Sequence, residues 1–313
     1  MKQKAIIVIG MHRSGTSAVS GLLDELGVFM GKNLFAPQEN VNEKGFFENA
    51  KVVDINDSLF DALLGSWDDP FSSNFDLKYP DAYSEFELTT KKFISKEYDS
   101  YDLWGMKDPR TSLHLPFWDK VITGCNTSPC YLMMLRNPIE VVASIVKRDQ
   151  FSTKKALILW INYTLSSYLF CASKSLYILN FENLLASPES VMIDICKKFD
   201  IDMPNKKGST FIEAKLRNHV NNSDAVKKDE LMMIAYDLYT ELSKPIVEKE
   251  KIESIKNQYL NYIEQFDELF KEHLQSVKSK EVHYRTLFYK GYSSLWWKIS
   301  WPLRKLEQAL SKK

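Results

Sequence analysis

The segment GMHRSGTS, residues 10–17, has the residue types and spacing of a site that holds an anion. It follows the apolar run AIIVI at 5–9 and precedes a stretch of helical pattern. Gly10 and Gly15 frame four residues, and a glycine-framed turn between a buried strand and a helix aims backbone N–H groups and the positive helix end at a phosphate. Arg13 puts a cation inside the turn, beside His12, and Ser14, Thr16 and Ser17 add hydroxyl donors. In the phosphate loop of nucleotide kinases a lysine that reaches the β- and γ-phosphates follows the second glycine. Here Thr16 and Ser17 follow it, so the loop keeps the cradle and loses the triphosphate and magnesium handle. The chemistry this leaves is a donor with one phosphate at this place, handled without metal. The competing reading is a glycine turn in a fold that binds no nucleotide.

The elements around the loop must position it. The patterning predicts a strand at 5–9, a helix at 16–26 ended by Gly27, a polar loop at 36–50 and a helix at 51–65. A Pro/Asp/Ser-rich loop at 66–82 and an amphipathic helix at 83–98 follow. LWGMKDPR at 103–110 reads as a short strand entering a turn, and PCYLMMLRNP at 129–138 as a buried strand whose Pro138 starts a helix over 138–148. A helix is expected at 154–172, a strand with a following turn at 175–185, and a helix at 187–199 with Ser187 as its cap before Pro188. Strands alternating with helices predict an α/β fold, a P-loop-type three-layer domain around a central parallel sheet with right-handed crossovers. After about residue 225 the pattern is mainly helical. Ile252, Ile255, Tyr259, Tyr262, Phe266 and Leu269 form a stripe. It suits a helix packed on its own domain, or else a coiled-coil contact in a homo-oligomer. The expected divisions are 1–225, 226–277 and 278–313.

GMHRSGTS resembles the 5′-phosphosulfate loop of sulfotransferases that use PAPS (3′-phosphoadenylyl sulfate), over about residues 5–205. PAPS has no γ-phosphate, which accounts for the missing lysine. The resemblance implies that His12, Arg13, Ser14, Gly15, Thr16 and Ser17 hold the phosphosulfate. It also implies a 3′-phosphate site made by an arginine at a strand end and a serine eight residues later. LRNPIEVVAS supplies Arg136 and Ser144 at that spacing, and arginine suits a phosphate through its bidentate fork. GMKDPR is similar to the segment that, in tyrosylprotein-type members, sets a lysine on the leaving sulfate-ester oxygen; Lys107 corresponds. A fixed cation there stabilises charge that develops only in the transition state, and Arg13 shares the task. Asp108 is expected to orient Lys107 or Arg110. Family members usually carry Y-E-D-L where this chain has Phe181, Glu182, Asn183 and Leu184, so any contact from that tyrosine hydroxyl is lost.

Transfer to a hydroxyl needs a general base. NEKGFFEN resembles a segment of bacterial sulfotransferases, which makes Glu48 the first choice, with Phe46 and Phe47 available to desolvate it, and Glu43 the second. Glu39, His12 and His114 are the alternatives, and neither histidine sits in the context of the family's histidine base. Glu48 could equally be a helix N-terminal glutamate. Trp160 could stack on adenine or belong to the core, with the core preferred. Arg217 and His219 could close over the nucleotide or the acceptor.

Lys+Arg and Asp+Glu are both 41 in 313 residues, so overall charge predicts no polyanionic partner and no nucleic acid. The four cysteines show no ligand spacing, so no metal is expected. The N-terminal apolar run is too short for a signal peptide, and no stretch has the length of a membrane span, which predicts a cytoplasmic protein. Residues 278–313 are different: nine basic residues against two acidic ones give a net of +7, with seven aromatics among them. That mixture suits peripheral contact with the inner face of a membrane, and WWKISWPLRKL is similar to a tail of bacterial cell-surface polysaccharide enzymes. A terminal cap or an oligomer contact is the plainer reading. The expected function is therefore transfer of a sulfuryl group from PAPS to a hydroxyl, on a glycan or lipid-linked glycan of bacterial polysaccharide biosynthesis. The alternatives are a P-loop kinase of a small molecule and a non-catalytic scaffold of a glycan-synthesis complex.

Overall fold

The computed structural model describes residues 3–36, 45–73, 75–203, 229–301 and 303–304, the side chains of 267–269, 271–275 and 298 apart. Four strands, β1 (Gln3–Ile9), β2 (Leu103–Lys107), β3 (Thr127–Leu135) and β4 (Leu176–Asn180), form one parallel sheet in the order β2-β1-β3-β4. Alternation along the strands sends Ile6, Val8, Cys130, Leu132 and Met134 to one face. There they pack on α1 (Thr16–Glu25) and on a helix at Pro188–Phe199, through Val19, Leu22, Leu23, Met192 and Ile195. The other face is covered by α4 (Leu115–Gly124) and α6 (Thr153–Cys171), and the Tyr131 hydroxyl donates to Asp119 of α4 at 2.6 Å. Both faces of the sheet are thus covered, as a parallel sheet requires.

The expected elements are present, with shifted ends. The helix predicted at 51–65 is α2 (Ala50–Ala62), whose first turn is capped by the Asn49 side chain accepting from the Lys51 N–H. The helix predicted at 83–98 is α3 (Ser84–Tyr98), entered through a 3-10 turn over Asp81–Tyr83. The short strand entering a turn at 103–110 is β2 ending at Lys107, where the Asp108 side chain accepts from the Arg110 N–H and Pro109 opens a 3-10 turn to Leu113. Helix α4 has no counterpart in the pattern reading. α5 (Pro138–Asp149) begins at Pro138, as predicted, under an Asn137 cap. The stretch after β4 is a short helix, α7 (Phe181–Ala186). α8 (Pro188–Phe199) starts at its proline, but the expected Ser187 cap is corrected: its side chain makes no cap hydrogen bond. Helices α9 (Glu230–Leu242), α10 (Lys249–Ser293) and α11 (Leu295–Ile299) are the remaining elements among the described residues.

The fold divides into compact units of residues 1–262 and 263–313. Within the first, α9 packs on α5 and α6, and Ile252, Ile255, Tyr259 and Tyr262 are buried. The Tyr259 hydroxyl donates to Asn162 of α6 at 2.7 Å. The boundary expected at 225 lies outside the described residues. Cys130, Cys171 and Cys196 are buried thiols and Cys125 is half-buried; none is in a disulfide. Trp160 is core, 1% exposed.

His114, between the 3-10 turn and α4, is also core. Its Nδ1 pairs with the Tyr83 hydroxyl at 2.6 Å, and its ring meets Phe60 edge-on. Burial holds its pKa down to about 3, from the ordinary 6.5. The unfolded chain binds this proton below pH 6.5 and the folded chain only near 3, so the unfolded state carries more protons between those values. Stability should therefore fall as pH drops through that window, with a slope of up to about 1.4 kcal/mol per pH unit from this one group. Urea melts across the window should show His114→Gln taking up close to one proton fewer on unfolding than the parent chain.

Gly10 is equally fixed by packing. At φ +130° its backbone lies where an added Cβ would stand 2.6 Å from the Met134 carbonyl oxygen. Gly10→Ala should destabilise the fold by about 2 kcal/mol or more, read as a lower urea midpoint at unchanged m-value.

Candidate active site

In a parallel sheet, ligand crevices open at the carboxyl ends of strands where the connections diverge to opposite sides. Here β1 leads to β2 on one side, while β3 leads to β4 on the other. The Gly10–Gly15 loop leaves the end of β1 at that point. Lys107 closes β2, Arg136 follows β3 and Phe181 follows β4. Four separated sequence segments thus converge because each lies just beyond, or at, the end of a strand.

The loop is shaped by close approach. Gly15, at φ +93°, caps α1 without a side chain, and a Cβ there would stand 2.4 Å from the Phe181 ring. The first-turn N–H groups of α1 therefore have no side-chain cap to satisfy them. The Gly10 N–H donates to Ser112 Oγ at 2.9 Å, tying the loop to the turn after β2. Arg13 is held at φ +69°, a left-handed conformation that costs a non-glycine residue free energy and gathers at functional sites.

Three predicted residues meet on one side of the loop. Arg13 Nε donates to Ser144 Oγ at 2.8 Å, and Arg136 Nη1 donates to the Arg13 carbonyl at 3.1 Å. Arg136 also donates through Nε and Nη2 to Glu140 Oε2 at 3.0 and 2.9 Å, and its guanidinium lies 4.2 Å over the Phe181 ring. This uses three of the five arginine donors.

On the other side, Lys107 is 3% exposed and its Nζ donates to three oxygens: Glu48 Oε1 at 2.7 Å, the Phe46 carbonyl at 2.8 Å and Ser17 Oγ at 3.0 Å. Positive φ at Gly45 and Phe47 turns the chain so that the Phe46 carbonyl and the Glu48 side chain face the lysine. The partner of the Glu48 carboxylate is therefore an ammonium. Asp108, fully buried, accepts from Asn56 Nδ2 at 2.9 Å and from Arg110 Nη1 at 3.2 Å, so it orients Arg110. Burial opposes the Arg110 charge, but Asp108, Asp57 and Glu48 together raise its pKa.

The charge is concentrated. Burial, then the cations Arg148, Arg110, Lys107 and Arg13, hold His12 well below 6.5, so it is a neutral imidazole at pH 7. Its Nε2 is buried with no hydrogen-bond partner among the described residues, and its ring stands 4.8 Å from Trp67. Arg13 is likewise lowered by burial, then by Arg148 and Arg136, and remains a guanidinium. Like charges so crowded favour a bound anion, which relieves their mutual repulsion.

Gly15, Ser14, Thr16, Ser17 and His12 lie together on the loop, with Ser14 and Thr16 buried. Glu39, Glu43, Arg217 and His219 lie outside the described residues. His114 belongs to the core. Sequence reasoning passed over Phe181, Ser112 and Trp67. Phe181 lacks the hydroxyl of the family's tyrosine, yet its ring supports both Gly15 and Arg136. Ser112 carries no local signal, and Trp67 reads as an ordinary loop aromatic until the Tyr163 hydroxyl, donating to its carbonyl at 2.8 Å, fixes it beside His12. Among the described residues no group of His, Cys, Asp and Glu is arranged to hold a metal.

Two solved structures are similar to this chain at low identity. The sulfotransferase domain of the Synechococcus PCC 7002 olefin synthase is 13% identical, with a TM-score of 0.40, covering 83% of this chain and 96% of its own. The sulfotransferase domain from the curacin biosynthetic pathway is 14% identical, with a TM-score of 0.37, covering 82% and 97%. No curated protein matches the sequence. The model of the sulfotransferase family matches residues 5–205, which span every strand of the sheet and every described residue of the anion loop and its partners. The chain belongs to the sulfotransferase family.

Proposed function

We propose that this sulfotransferase uses PAPS as donor and a carbohydrate hydroxyl as acceptor. The observation that carries the reading is the division of the site. Arg136 and Lys107 are separately anchored on the two sides of an uncapped glycine loop that itself carries Arg13, and a carboxylate stands 2.7 Å from the lysine. PAPS has two separated anionic groups and no γ-phosphate, which matches this division and the absence of a lysine after Gly15. The glycine cradle, the crowded cations and the unpartnered His12 Nε2 all fit an anionic donor.

In this reading the loop N–H groups, Arg13, Thr16 and Ser17 hold the 5′-phosphosulfate. Ser144 and the donors left on Arg136 hold the 3′-phosphate. The acceptor oxygen forms a bond to sulfur as the bond from sulfur to the bridging phosphate oxygen breaks, and the electron pair leaves with the nucleotide. Lys107 and Arg13 neutralise the charge that builds on that bridging oxygen. Glu48 takes the acceptor proton, and Lys107 is released from its resting partner as it does so. A lipid-linked glycan is the acceptor form this reading favours.

Calorimetric titration with PAP (adenosine 3′,5′-bisphosphate) in EDTA should give binding, and Arg136→Ala should weaken it by a factor of ~10 to 200, the worth of a charge-assisted pair. Preference for Mg-ATP over PAP would sink the PAPS reading in favour of a kinase.

Lys107→Ala should lower kcat by roughly 10²–10³. Glu48→Gln should lower it by about 10²–10⁴ while leaving PAP affinity within a few-fold. Unchanged turnover in Glu48→Gln would remove it as the base, and PAP binding with no turnover on any acceptor would favour the scaffold.

A further inference from the structure

The aromatic residues near the C-terminus belong to no core. In the unit of residues 263–313, Tyr284 is 67% exposed, Phe288 61%, Tyr292 57%, Trp296 81% and Trp301 55%. Leu287, Leu295, Ile299 and Leu303 are exposed beside them. Single exposed apolar residues are ordinary, but a contiguous set of this size marks an interaction surface.

The set is ordered. At 100° per residue, Tyr284, Leu287, Phe288 and Tyr292 of α10 fall within about 140° of arc, flanked by Lys290 on one side and Arg285 on the other. The face continues through the break at Ser294. The Phe288 and Tyr292 rings stack at 5.9 Å, Tyr292 meets Trp297 of α11 at 5.6 Å, and the Arg304 guanidinium lies 3.8 Å over Trp297. One aromatic row therefore runs across two helices with basic groups at its margins and end.

We infer that this face is a docking surface for an anionic lipid bilayer, lying in the interface with its rings at headgroup depth. The charge selects the occupant. Residues 278–313 carry nine basic and two acidic residues, +7 in a chain whose other residues sum to −7, so pairing this face with its own copy would set +7 against +7. An anionic headgroup layer complements that charge, and each basic residue near such a surface adds about 1 kcal/mol. Tryptophan and tyrosine favour the headgroup boundary, where an apolar ring and a polar N–H or O–H are both satisfied. The exposed aliphatic residues have a place among acyl chains and none against a nucleic acid. Among the described residues no helix is long and apolar enough to cross a membrane, so the contact is with the surface.

The test is co-sedimentation of the full chain with vesicles of phosphatidylglycerol and phosphatidylethanolamine, beside vesicles of phosphatidylcholine. Binding to the anionic vesicles should weaken as salt rises, and W296S/W301S should bind at least ~10-fold more weakly at an unchanged melting temperature, given the apolar area removed. R285Q/K290Q should weaken binding to anionic vesicles while leaving the weak phosphatidylcholine binding unchanged. No binding of the parent chain to anionic vesicles at low salt overturns the inference, as does binding that W296S/W301S leaves intact. Concentration-dependent self-association in light scattering, lost in W296S/W301S and without vesicle binding, would instead make a second copy the occupant.

Discussion

At Gly10 and Gly15 the loop after β1 passes closer to its neighbours than any side chain would allow. The Met134 carbonyl stands against the first glycine and the Phe181 ring against the second. This close approach is the constraint on which the site depends. It pins both ends of the loop to the ends of β3 and β4, leaves α1 without a side-chain cap, and holds Arg13 in a strained left-handed turn between them. With the ends fixed, the backbone N–H groups are preorganised, and an anion pays little to order them.

The charge of the molecule follows from the same geometry. The chain as a whole balances 41 basic against 41 acidic residues, yet the strand ends gather Arg13, Arg136 and Lys107 at one edge. Each cation is held by a different device. Arg136 is braced by Glu140 from below and by the Phe181 ring, Arg13 by Ser144, and Lys107 by Glu48, Ser17 and the Phe46 carbonyl. A side chain held in this way has lost its rotamer freedom before any ligand arrives, so that cost does not fall on binding. The Lys107–Glu48 pair has a further property. It is the charge arrangement of a base and an electrophile stored as one ion pair, which an anion on one side and a hydroxyl on the other would separate.

The two units differ in how they treat aromatic residues. In the first, Tyr83, Trp104, Trp118 and Tyr259 are enclosed, with several of their polar atoms satisfied by neighbours such as His114 and Asn56. In the second, rings of the same types face outward beside basic groups. Composition alone does not separate these cases, because burial is decided by whether a facing element exists.

Much of the fold was legible because the relevant signals are local. Gly-framed turns, Pro138 and Pro188 at helix starts, and apolar runs of strand length record their structure in neighbouring residues, and so does the anion loop. The family resemblance carried the choice of Arg136, Ser144 and Lys107, which the sheet then gathered. What sequence missed is non-local. Helix α4 is the exception: Leu115, Trp118 and Ile122 recur at helical spacing around Pro116, a local signal that the pattern reading did not use. Ser112 and Phe181 matter through contacts with residues about 100 and 166 positions away. The partner of Glu48 could not be read from Phe46 and Phe47 beside it, since Lys107 arrives from β2. By itself the sequence determined which segments form strands, turns and helices, and that one turn suits an anion, because those choices are made by backbone sterics and local hydrogen bonds. Only the tertiary structure decided which cation meets which carboxylate, because the order of strands in the sheet sets the distances between groups far apart in the chain.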